Sequence, residues 1–172
     1  VTAPLDRRLV LLRHAKAEHP EKVDDHERAL ALAGRRQAGR VGPAMAEAGI
    51  APDHVLCSTS LRTRQTWDLV RAGLAVEPTV EFREEVYLAG AASLLALVQA
   101  VPDEVRTLLV VGHEPTMSHA AELLAGPGSQ EAAYRRVQVG VPTASWSVLT
   151  SSAGWAQWAP GESVLVGLHT PG

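Results

Sequence analysis

"LVLLRHAKAE", residues 9–18, carries four aliphatic residues straight into an arginine and a histidine. A strand with one wet face alternates apolar and polar side chains. An unbroken apolar run suits a strand covered on both faces, as in the parallel sheets of α/β domains. The abrupt change at Arg13 then puts charge at the carboxyl end of that strand, which is where open α/β sheets bind ligands. The same layout recurs twice, in "HVLC" running into "STSLR" (58–62) and in "LLVV" running into "GHEP" (112–115).

Between these runs the pattern changes period. Residues 32–48 place Ala38, Val41, Met45 and Ala48 at helical spacing, with Gly49 as a stop and Pro43 as an expected kink or break. "LRTRQTWDLVRAG" (61–73) reads as a second helix with Trp67, Val70 and Leu74 on one side. A third covers about 91–100, and a fourth follows Pro115, whose missing N–H costs nothing in a first turn. Strands are expected at 9–12, 53–58, 79–82 and 107–112. "ASWSVLTS" and "ESVLVGLH" form an antiparallel pair at one edge, joined by "SAGWAQWAPG". Strands alternating with helices predict one α/β domain over 1–172. Its expected form is a three-layer α/β/α sandwich with a mostly parallel sheet and an antiparallel edge pair.

The 172 residues are 46% hydrophobic but only 4% aromatic, so aliphatic and alanine packing must supply most of the core. A formal net charge of −3 offers no basic face for nucleic acid. The single cysteine, Cys57, excludes an intramolecular disulfide and a four-cysteine zinc site. No run approaches the roughly 18 apolar residues of a membrane span, and the N-terminal apolar run is too short for a signal-peptide core. A cytoplasmic protein without membrane or nucleic-acid partners is expected.

If the three charged strand tips are neighbours, Arg13, His14, Arg62 and His113 surround one point. Guanidinium forks match phosphate oxygens two at a time, each charge-assisted bond contributing about 1.5–3 kcal/mol. Free N–H groups at the helix starts near Ser60 and Pro115 would favour the same anion. Neighbouring guanidiniums disfavour an imidazolium, so a histidine there stays neutral and nucleophilic near pH 7.

These residues carry a resemblance. "LLRHAKAE" is similar to the Arg-His opening motif of the histidine phosphatase (phosphoglycerate mutase-like) superfamily, "STSLRTRQTW" to its second motif, and "VVGHEP" to its second-histidine motif. "ERALALAGRRQA" resembles the segment that often follows the first motif. The resemblance covers about 9–120. It implies that His14 becomes a phosphohistidine, that Arg13 and Arg62 bind phosphate, and that His113 binds and stabilises the transferring group. It also implies an acid, for which "FREEVY" offers Glu84, with Glu85 beside it. The short interval 63–112 is most like the compact SixA-type phosphohistidine phosphatases. Ala15 stands where the family commonly has Gly, which requires a negative φ, and Arg28 is a further candidate phosphate contact.

The expected activity is therefore a phosphohydrolase needing no metal or cofactor. Its expected substrate is a phosphorylated protein, with a small phosphoester or phosphorylated metabolite as the alternative. A non-catalytic phospholigand receptor would use the same pocket. Two other readings fail on register. "HEPTM" has Met117 where a zinc His-Glu-x-x-His needs histidine, and "CSTSLRT" puts Arg62 one place early for a cysteine phosphatase loop. The remaining histidines (His19, His26, His54, His119 and His169) read as structural.

Overall fold

A computed structural model of the chain describes residues 6–171. Residues 1–5, the start of the segment inspected above for a leader, and Gly172 lie outside them. One sheet organises the fold. Its strands are β1 (Arg7–Arg13), β2 (His54–Ser58), β3 (Thr79–Arg83), β4 (Thr107–Gly112), β5 (Trp146–Ser151) and β6 (Val164–His169). They lie in the order β3-β2-β4-β1-β5-β6. β3, β2, β4 and β1 are parallel, and β5 and β6 complete one edge antiparallel, as expected.

The apolar runs are explained by cover on both sides. Leu9 and Leu11 of β1 and Leu108 and Val110 of β4 join one core cluster. The intervening Val10, Leu12, Leu109 and Val111 join the other. The second face is closed by α1 (Leu32–Glu47) and α2 (Leu61–Arg71). The first is closed by α4 (Ala91–Gln99), α5 (Thr116–Leu124) and α6 (Glu131–Val139), with the short α3 (Glu84–Leu88) leading into it. Side chains alternate across a strand, so a strand sandwiched between helix layers needs apolar residues at every position.

Three local readings change. α1 runs unbroken through Pro43. The hydrogen bond that Pro43 cannot donate would have gone to the carbonyl of Gly39, which is exposed and can be hydrated instead. Pro43 also packs where α1 meets the end of α2: a Cβ on Gly73 would lie 2.4 Å from its Cδ. α3 and α6 were not anticipated. The connector 152–161 is more than a link, because Trp155 and Trp158 stack at 5.0 Å and are fully enclosed in the first core. These two tryptophans thus sit at the centre, and the Trp155 indole N–H donates to the Val105 carbonyl at 2.7 Å.

Candidate active site

β4 lies between β1 and β2, although it follows both in sequence. The chain leaves β1, builds β2 and β3 outward, and returns to fill the gap. The carboxyl ends of three parallel neighbours therefore coincide. Arg13 is in register with Gly112, and the His14 N–H donates to the Gly112 carbonyl at 3.0 Å. Adjacent strands are about 4.8 Å apart. His14 and His113, each one residue past its strand, consequently stand side by side with ring centroids 5.4 Å apart.

Arg62 enters from the first turn of α2, capped by Ser60, whose hydroxyl accepts from the Thr63 N–H. Thr66, one turn on, ties this helix to β1. Its hydroxyl accepts from the Ala15 N–H at 3.0 Å and donates to the Arg62 carbonyl at 2.7 Å. Ala15 is fully buried, and positive φ among described non-glycine residues occurs only at Lys22 and Ala144. The family's usual glycine is therefore not required here. Ala144, at φ 59°, supports the site from β5's side by donating its N–H to the His14 carbonyl.

A cavity of about 320 Å³ brings Arg13, His14, Arg62 and His113 together with Lys16, Arg28, Asp25, Glu114, His19 and Thr143. Four cations face two carboxylates, so the cavity favours an anion. A larger cavity of about 800 Å³ between α2 and β3 holds Trp67, Asp68, Arg71 and Leu74 but none of the four residues. Chemistry rather than size therefore identifies the site.

The protonation pattern follows from geometry. His14 Nδ1 lies 2.7 Å from the Ala15 carbonyl. A carbonyl only accepts, so Nδ1 carries the proton and Nε2 keeps its lone pair. Burial, aided by Arg62 and Arg13, pushes His14 down to about 4. Burial, then His14 and Arg62, pushes His113 down to about 3. Both rings are neutral near pH 7. Arg13 donates to the Val141 carbonyl at 2.8 Å, and Arg62 donates to the Asp25 main-chain carbonyl at 2.6 Å. The Nε–H of each guanidinium is buried without a partner. Buried donors left unpaired are costly.

Other residues depart from the sequence reading. Glu84 is exposed at the start of α3 and is not part of the cavity wall, and Glu85 pairs with Arg83. Two N–H groups at the start of α5 are taken: the Ser118 N–H donates to Glu114 at 2.8 Å, as does its hydroxyl at 2.9 Å, and the Met117 N–H donates to the His113 carbonyl at 2.9 Å. Arg28 does reach the cavity, held by Asp25, the Glu18 carbonyl and His19, so His19 is a wall residue as well. Asp25 and Tyr87 were missed. Asp25 Oδ2 accepts from Arg62 and from the Tyr87 hydroxyl, and the Tyr87 ring stands edge-on to His113 at 5.3 Å. Their only sequence signal was polarity in a loop. Cys57 is buried and its thiol is pushed up to about 12, which makes it no candidate nucleophile.

Among the described residues no helix is long and apolar enough to cross a membrane. An uncharacterized Mycobacterium tuberculosis protein is 40% identical over 161 residues, covering 93% of this chain and 99% of its own length. The SixA structure from Nakamurella multipartitia is 34% identical with a TM-score of 0.80 over 96% of both chains. That from Agrobacterium tumefaciens is 28% identical with a TM-score of 0.78 over 96% and 99%. Residues 9–87 match the model of the histidine phosphatase superfamily, branch 1. The phosphatase architecture, the paired imidazoles and the matched motifs agree: the chain belongs to the histidine phosphatase superfamily and is of the SixA type.

Proposed function

We propose that this phosphatase removes phosphoryl groups through a covalent phosphohistidine on His14, and that its substrate is phosphohistidine on a protein. One observation carries the reading. The Ala15 carbonyl fixes the His14 proton on Nδ1, leaving a nucleophilic Nε2 in a cavity walled by the Arg13 and Arg62 guanidiniums. Nε2 attacks phosphorus in line, and the bond to the leaving group breaks as the new P–N bond forms. Arg13, Arg62 and His113 hold the equatorial oxygens. Water then cleaves the phosphohistidine, releasing phosphate and restoring neutral His14.

The leaving group favours a phosphohistidine substrate. An alkoxide must be protonated as it leaves, whereas an imidazole departs more readily. Asp25 of the cavity wall is a poor acid. The Tyr87 hydroxyl and Arg62 hold Asp25 well below the usual carboxylate range. Glu114 is engaged in structure, accepting from the Ser118 N–H and hydroxyl and from the Val141 N–H. The acid role read for Glu84 has no support from its position. SixA relatives at 34% and 28% identity point to the same substrate class.

Trapping tests the reading. Wild-type protein mixed with a ³²P-phosphohistidine protein and denatured in alkali should carry label on His14, and His14→Ala should carry none. Label on Cys57 would overturn the mechanism. Binding of the phosphoprotein without phosphate release by wild type would favour the receptor reading instead.

A further inference from the structure

We propose that Ser58 is a positioning residue that fixes which nitrogen of His113 carries the proton, so that its Nδ1–H is presented to the phosphoryl group. The inference rests on the phosphatase reading above and adds to it a residue outside the cavity wall. Ser58 ends β2 and is fully buried. Its hydroxyl oxygen lies 2.8 Å from His113 Nε2 and accepts from the Ser60 N–H at 3.3 Å. Among the described residues, His113 Nε2 is the only acceptor within reach of the Ser58 hydroxyl proton.

Two arrangements are possible. If Nε2–H donates to Ser58, the serine proton is stranded where no water reaches it. If Ser58 donates to Nε2, every group on that side is matched, and the single proton of a neutral imidazole sits on Nδ1. Nδ1 faces Arg62 Nη2 at 3.3 Å. The Arg62 Nη2–H points at Nδ1, a contact that the Nε2–H form would accept. A phosphate oxygen that takes this Arg62 N–H leaves Nδ1 free to carry the proton and to donate to the same phosphoryl group. Ser58 thereby lets a ring that burial keeps neutral act as a donor at the reacting group without becoming charged. A neutral donor does not compete with the protonation state that His14 needs.

The test uses the full chain labelled with ¹⁵N-histidine and saturated with inorganic phosphate, with signals assigned through His113→Asn. Long-range ¹H–¹⁵N correlation should show His113 in the Nδ1–H form in wild type and mainly Nε2–H in Ser58→Ala. Nε2–H in phosphate-bound wild type, or unchanged Nδ1–H in Ser58→Ala, overturns the assignment. If Ser58→Ala fails to fold, the wild-type spectrum decides alone. Kinetically, Ser58→Ala should lower kcat about tenfold with KM within about threefold, and Ser58→Thr should recover part of the loss. Failure of wild type to bind phosphate would sink the phosphatase reading itself, whereas a wrong tautomer with phosphate bound sinks only the role of Ser58.

Discussion

Asp25 grips Arg62 twice, through its main-chain carbonyl at 2.6 Å and its carboxylate at 2.9 Å. The same carboxylate takes the Tyr87 hydroxyl at 2.7 Å, so a surface loop, α2 and α3 meet on one oxygen. This fixes the guanidinium plane before any substrate arrives. Asp25→Asn is expected to lower kcat/KM about tenfold, since the fork must then be ordered during binding. In Arg62→Ala protein the same change should add almost nothing, and a double-mutant cycle measures that coupling. Additive losses would mean that Asp25 acts elsewhere. Its ion pair is also acid-sensitive. A carboxyl held below its unfolded value stabilises the fold above about pH 4 and loses that contribution as pH falls further. Solvent exposure of the carboxylate keeps the contribution small.

His14 and His113 predict opposite behaviour of activity and stability in mild acid. Because His14 titrates near 4, kcat/KM should stay flat from pH 8 to about 5 and fall only below that. Stability should decline sooner. The unfolded imidazoles take up protons near 6.5 while the folded ones resist, so stability falls as pH drops from about 6.5 toward 4. His14 alone contributes about 3 kcal/mol to that loss, from its shift. Urea midpoints against pH check this, and His14→Ala should flatten the slope. A midpoint independent of pH between 6.5 and 4 would contradict the buried neutral pair.

Glu84→Gln should change turnover by less than about twofold with a phosphohistidine protein or a small phosphoester, because the side chain is exposed and outside the cavity wall. Slower phosphoester turnover alone would return the acid role to this residue.

The first turn of α1 braces the loop after His14. A Cβ on Gly34 would lie 1.9 Å from the Lys16 carbonyl oxygen, a backbone atom that cannot swing aside. Gly34→Ala is expected to cost about 1–3 kcal/mol and to reduce activity, because Lys16 is two residues from His14. Gly39→Ala in the same helix meets nothing within 4 Å and should stabilise by about 0.5–1 kcal/mol. Thermal unfolding of the two variants separates overlap from helix propensity.

Much of the architecture was legible because both faces of the central strands are covered. That leaves unbroken apolar runs such as "LVLL" and "TLLVV", whose ends mark the charged tips. Arg13, His14, Arg62 and His113 were readable for the same reason: each stands within a few residues of a strand end, where backbone topology alone aims it. Asp25, Tyr87 and Ser58 were not, because their roles arise from partners 37, 62 and 55 residues away. Local pattern records how a segment meets water. It carries no record of which distant atom will fill a hydrogen-bond valence, and that is why only the folded chain decided how the guanidinium, the phenol and the second imidazole are held.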